Sequence, residues 1–168
     1  LAVIDERAKG FLTKAHDSSV HLGQLFKDLL SVTKIEDNRV AINIRNFNIS
    51  ELIGQLVNEM TIIAAAKDMH VEAQIGGSGL GREKVVAPLY EVTADPERVR
   101  EVMANLVDNA IKYSSQGTII VRAETDKDSV VISVIDQGVG ISAEDQKHLF
   151  QKFYRVNSSF TREAGGTG

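Results

Sequence analysis

The chain has 168 residues, 43% hydrophobic and 25% charged, which suffices for one domain with a proper core and a smaller appendage. Its formal net charge of -4 argues against duplex or acidic-lipid binding, so any phosphate ligand must be held by a local site. The absence of cysteine excludes disulfides and thiolate metal sites. The longest apolar stretch, Met60 to Ala66, is far short of the roughly 18 to 20 residues that span a bilayer, and Asp5, Glu6 and Arg7 oppose a signal peptide.

The first 35 or so residues predict one long helix. Leu1, Ile4, Ala8, Phe11, Ala15, Ser18, Leu22, Leu25, Leu29 and Val32 follow a three-four spacing with only Ser18 polar. A second stripe at Leu12, Phe26 and Leu30 widens the face, which suits a helix of a four-helix bundle better than a two-stranded zipper. The period then changes, and a second domain is expected to begin near Asn38, giving domains at 1–38 and 39–168. Val40, Ile42, Ile44 and Phe47 alternate with polar residues and predict a short strand. Asn48 with Glu51 three residues on forms a capping-box start for a helix reaching about Ala66.

Strands are expected at Val71 to Ile75 and Leu89 to Ala94. Between them the run Gly76 to Gly81 reads as a connection, because it precedes Arg82-Glu83-Lys84 instead of an apolar helix. Asp95-Pro96 is an N-cap followed by proline at the first helical position and opens a helix through Tyr113. Ile119 to Ala123 and Val130 to Ile135 alternate around Asp126-Lys127-Asp128 and predict a hairpin. Ser142 caps a short helix to about Phe150, and the polar, glycine-rich stretch from Asn157 to Gly168 reads as a loop. This order predicts an α+β sandwich of two layers, with helices on one face of a mixed sheet.

Four short signatures carry the chemistry. On the helix ending at Tyr113, Asn105 and Asn109 are four apart and share a face, with Lys112 and Tyr113 following. A neutral amide oxygen suits a hard cation such as Mg2+. Asp136 ends an apolar strand and is followed by Gly138, Gly140 and Ile141; its carboxylate can accept from an exocyclic amine, while the glycines let backbone approach a flat base. Leu149, Phe150, Phe153, Tyr154 and Arg155 form an aromatic-basic group, in which the arginine fork suits phosphate oxygens. Gly165, Gly166, Thr167 and Gly168 offer backbone NH groups to phosphates.

In this order and spacing the four signatures closely resemble the N, G1, F and G2 boxes of sensor histidine kinases. Their nucleotide-binding domain has the Bergerat-type fold shared with type II topoisomerases and mismatch-repair ATPases. The resemblance implies that Asn109 holds Mg2+, Lys112 meets a phosphate and Tyr113 lines the ribose or adenine side. It also implies that Asp136 reads the adenine amino group, Gly138, Gly140 and Ile141 shape the pocket, and Phe150 and Arg155 belong to a lid over ATP. The Gly165–Gly168 run would take the phosphates. The hydrolytic relatives carry a glutamate where this chain has Asn105, and an amide cannot act as that general base, so transfer to protein is favoured over hydrolysis.

The implied activity is an ATP-dependent protein histidine kinase of a two-component system, cytoplasmic, acting as a homodimer through the N-terminal helix and passing phosphoryl groups to a response regulator. A hydrolytic ATPase of the same fold and a nucleotide-binding scaffold without turnover are the alternatives. The acceptor histidine is expected to lie outside these residues: His16-Asp17-Ser18-Ser19-Val20 matches only the first pair of the family's acceptor motif, and His21, His70 and His148 lack it too. The chain is accordingly expected to be a piece of the kinase, stopping within its last glycine box.

Overall fold

The computed structural model describes residues 5–36, 41–76, 89–151 and 154. Helix α1, Glu6–Glu36, is the long helix that the apolar spacing predicts. Phe11, Leu12, Val20, Leu22 and Phe26 are all exposed along it. A helix with that much apolar surface in water is stabilised by whatever covers it, since burial is worth roughly 25 cal/mol per Å2.

The first strand begins later than its alternation suggests. Strand β1 is Arg45–Asn48, while Ile42 and Ile44 lie outside it, exposed; Val40 and the expected domain boundary near Asn38 fall outside the described residues. The reason lies in the partner. Antiparallel pairing runs from Asn48 opposite Glu91 to Arg45 opposite Ala94, and beyond Ala94 the partner chain turns into a helix. No ladder is left for Ile44.

Helix α2, Ile49–Ala65, starts where the capping signature puts it: Asn48 Oδ1 accepts from the backbone NH groups of Ser50 at 2.9 Å and Glu51 at 3.3 Å. Strand β2, His70–Ile75, follows, and strand β3, Glu91–Ala94, is the partner of β1. Helix α3, Pro96–Tyr113, runs between the expected limits, capped by Asp95. Strands β4, Thr118–Asp126, and β5, Ser129–Ile135, form the expected hairpin, turning at Lys127 with φ of 52°.

The sheet is mixed, in the order β2-β4-β5, with β2 parallel and β5 antiparallel to β4. Its inner face presents Val71, Ile119, Val121 and Ala123 to a core shared with Ile53, Leu56 and Val57 of α2 and with Met103, Val107 and Ile111 of α3. This is the two-layer α/β sandwich that the element order implies. The Glu59 to Arg100 ion pair ties α2 to α3 outside the core.

Residues Ile42–Ser142 form one compact unit; the described residues of 1–41 and 143–168 form another. In the latter, helix α4 spans only Ala143–Gln146, shorter than the predicted Ser142-to-Phe150 helix. None of its residues is buried, and a single turn with no apolar face to bury does not propagate. The chain continues instead in three-residue turns, with NH groups of Lys147, His148 and Gln151 bonded to carbonyls of Glu144, Asp145 and His148.

Asp95 does more than cap α3. Its Oδ1 accepts from Glu97 and Arg98 at 3.0 and 3.2 Å, and its Oδ2 accepts at 2.8 Å from the backbone NH of Asn43, just inside the first of the two units. The Asn43 bond, with that from Arg98, holds the carboxyl below its usual range. Because the folded-state pKa is lowered, the stabilisation is present above the unfolded value, near pH 4, and is lost as pH falls through the folded value. Asp95→Asn keeps the cap but sets an amide NH2 against the Asn43 NH. We expect it to melt below the wild type at pH 7, with the gap in circular-dichroism melts narrowing as pH drops from 5 toward 2. Asp95→Ala also loses the cap and should melt roughly 4 to 8 °C lower at neutral pH.

Candidate functional site

The apolar positions of α3 leave its polar face outward. Met103, Val107, Ala110 and Ile111 are buried, whereas Asn105 and Asn109 are exposed on the same side, one turn apart. Lys112 is partly exposed and pairs with Asp108 at 2.6 Å, so a phosphate meeting Lys112 would compete with that carboxylate. Glu101 is engaged by Arg98 at 2.8 Å. The two acids flanking Asn105 on this helix therefore each have a cationic partner, and neither stands in as an unpaired base.

At its C-terminal end α3 meets the Asp136 loop. The Tyr113 carbonyl accepts from Val139 NH at 3.3 Å, and Asp136 Oδ1 accepts from Gly138 NH at 2.8 Å. Gly138 is required here on steric grounds: a Cβ would stand 2.5 Å from the Tyr113 carbonyl oxygen and 2.9 Å from Asp136 Oδ1. Gly140 adopts φ of 69°, the left-handed region that glycine enters without strain, and has open space around it. Asp136, Gly140 and Ile141 are exposed, and among the described residues Asp136 accepts through Oδ1 alone. The fold thus joins the end of the asparagine helix to the aspartate-glycine loop, two signatures that lie far apart in sequence.

In the other unit, Phe150 is fully exposed. Tyr154 donates its hydroxyl to Asp145 Oδ1 at 2.6 Å, and its ring lies 5.2 Å from that of His148. The Asp145 bond raises the phenol's pKa, because ionisation would lose it beside a carboxylate. Phe153, Arg155 and Gly165–Gly168, expected in the lid and phosphate loop, lie outside the described residues, as does the connection from residue 77 to 81.

Two contacts around α3 escaped the sequence reading. Lys67 Nζ donates to the Ile111 carbonyl at 2.9 Å, capping the last turn from α2's end of the fold. Ser114, the first residue past the helix, is 4% exposed, and its hydroxyl has no hydrogen-bond partner among the described residues. Neither had a signal in the sequence, since both depend on which segments are packed together. A groove of about 280 Å3 lies along Arg98, Val99, Val102, Met103, Leu106 and Ile132, and no predicted ligand residue lines it.

Residues 94–168 match the family described as histidine kinase-, DNA gyrase B- and HSP90-like ATPases. The curated relatives that the chain resembles include sensor histidine kinases. It is 33% identical to the circadian input-output histidine kinase CikA of Synechococcus elongatus over 98% of its own length, covering 21% of that protein. It is 31% identical to the sensor protein GacS of Pseudomonas syringae over 94% of its length, covering 17% of that protein. The chain thus spans about a fifth of the length of these relatives. Among solved structures, histidine kinase ThkA in complex with response regulator protein TrrA matches with a TM-score of 0.72 at 22% identity, over 92% of this chain and 42% of that one. Acinetobacter baumannii histidine kinase AdeS matches with a TM-score of 0.67 at 21% identity, over 89% and 68%. The fold is that of histidine kinase catalytic domains.

Proposed function

We propose that the chain is the ATP-binding portion of a two-component sensor kinase, taking the γ-phosphoryl group of ATP to a protein histidine and thence to an aspartate of a response regulator. Supporting this above all is the contact between the Tyr113 carbonyl and the Gly138-Val139 backbone, which sets the Asp136 carboxylate at the end of the helix bearing Asn105 and Asn109. The remaining Asp136 oxygen suits an adenine amino group, and Tyr113, Gly138, Gly140 and Ile141 line that side.

Asn109 is assigned to Mg2+, and its exposed neutral amide fits a cation that takes most of its shell from phosphates and water. When bound, Mg2+ would neutralise charge on the transferred phosphoryl group. Lys112 exchanges Asp108 for a phosphate oxygen. Phe150 and Arg155 are assigned to the lid, and Gly165, Gly166, Thr167 and Gly168 to the phosphates. Asn105 supplies no proton acceptor, which favours transfer over hydrolysis. The domain division is 1–38 and 39–168. The apolar face of α1 is assigned to a homodimeric bundle, and the acceptor histidine to a helix outside these residues. The setting is the cytoplasm; no described helix is long and apolar enough to cross a membrane.

Calorimetric titration with a non-hydrolysable ATP analogue and Mg2+, beside a GTP analogue, tests the pocket. The adenine nucleotide alone should bind, and Asp136→Asn should weaken it about tenfold or more, as loss of a charge-assisted hydrogen bond implies. Labelled ATP should then mark a bundle partner carrying the acceptor histidine. Free phosphate released without that partner would favour the hydrolytic ATPase, and equal binding of both analogues would remove Asp136 from base reading.

A further inference from the structure

A helix ends with carbonyls that its own turns leave without partners. At the end of α3 three of them are engaged from three directions. The Ala110 carbonyl accepts from the Ser114 cap NH at 3.1 Å, and the Tyr113 carbonyl accepts from Val139 of the Asp136 loop at 3.3 Å. Between these two, the Ile111 carbonyl accepts at 2.9 Å from Lys67 Nζ, a side chain that comes from the end of α2.

The root of that lysine is fixed. The NH groups of Lys67 and Met69 both bond to the Ala64 carbonyl, at 2.9 and 3.1 Å, and the Asp68 NH bonds to the Ala65 carbonyl at 3.1 Å. This is a Schellman closure, with Asp68 at φ of 54° in the left-handed position that a short polar side chain tolerates. Met69, 1% exposed, anchors the closure in the core. Lys67 is thus held at both ends, by the closed turn at its backbone and by the Ile111 carbonyl at its tip. Its charge also suits the negative end of the α3 dipole.

We propose that Lys67 is a positioning residue for the nucleotide pocket. By holding the Ile111 carbonyl it fixes the last turn of α3, and with it Lys112, Tyr113 and the Asp136 loop that the Tyr113 carbonyl receives. This rests on the ATP-binding reading above. Lys67 itself touches no ligand; it acts through two bonds on one helical turn, its own to Ile111 and that of Val139 to Tyr113. Without the first, the turn frays, and the Asp136 carboxylate loses its fixed distance from Lys112 and Asn109.

Lys67→Met keeps the unbranched stem without its donor, and Lys67→Arg keeps a cationic donor. In the absence of ligand, the Val139 amide should exchange with solvent about tenfold faster in Lys67→Met than in the wild type, read by NMR, because its acceptor sits on a looser turn. Calorimetry with a non-hydrolysable ATP analogue and Mg2+ should show Lys67→Met binding about tenfold more weakly, the worth of one hydrogen bond to a charged group, and Lys67→Arg restoring both readouts. Wild-type Val139 exchange in Lys67→Met would overturn the proposal. So would a Lys67→Met protein that melts lower yet binds as the wild type does, since the bond would then serve the fold alone. An arginine variant as weak as the methionine variant would remove the cation-to-carbonyl bond as the cause. Failure of the wild type to bind adenine nucleotide would instead overturn the underlying reading, and Val139 exchange, measured without ligand, would still show whether Lys67 holds the junction.

Discussion

Gly138→Ala is expected to lower affinity for an ATP analogue about a hundredfold. The added methyl group would stand 2.5 Å from a backbone carbonyl oxygen and 2.9 Å from the Asp136 carboxylate, distances at which something must move. Neither neighbour is the loose end of a long side chain. If the loop retreats, the Val139 to Tyr113 bond at 3.3 Å is lost; if the carboxylate swings, the Gly138 NH bond at 2.8 Å is lost. Either way the base-reading oxygen leaves its position relative to α3. Overpacking of this kind costs about 1 to 3 kcal/mol, and its upper part corresponds to the hundredfold loss. Gly54 supplies the control. It lies in α2 with open space around it and has no assigned part in the pocket, so Gly54→Ala should bind nearly as the wild type does. Calorimetry on both variants decides the matter: a Gly138→Ala protein of wild-type affinity would show that this junction does not govern the pocket.

Features decided within four residues were legible in the sequence. The cap at Asn48, the Asp95-Pro96 start of α3 and the turn around Lys127 each depend on side chains and backbone next to one another, and each stands where it was expected. The asparagine pair was legible for the same reason, since helical spacing alone puts Asn105 and Asn109 on one face. Strand β1 was misplaced because its limits are set by β3, and β3 is ended by Asp95, some fifty residues away. The length of α4 was overestimated because its cap signal says nothing about whether the helix has a surface to bury against. Lys67 and Ser114 had no local signature at all. The bond of the first and the burial of the second exist only once α2, α3 and the sheet have packed together.

Leu56→Ala should separate the fold from the site. Leu56 is fully buried in the α2 layer, within the same core as Val107 of α3 and Val121 of β4, and nothing polar in the candidate site depends on it. Removing a buried leucine to alanine costs about 2 to 5 kcal/mol through lost transfer energy and the cavity left behind. Against a typical net stability of about 5 to 15 kcal/mol, this consumes a large fraction of what holds the domain together. The melting midpoint should fall by roughly 10 °C or more. The folded molecules keep the Tyr113 and Gly138 contacts, so affinity for the ATP analogue should change little. Saturating ligand at about a hundred times its dissociation constant returns about 2.7 kcal/mol of stability and should recover much of the lost midpoint. The Gly138→Ala protein should show the reverse, with little ligand-induced stabilisation at the same concentration. If Leu56→Ala lost affinity while its midpoint held, the core and the pocket would not be separable in this way, and α2 would have to be counted as part of the binding site.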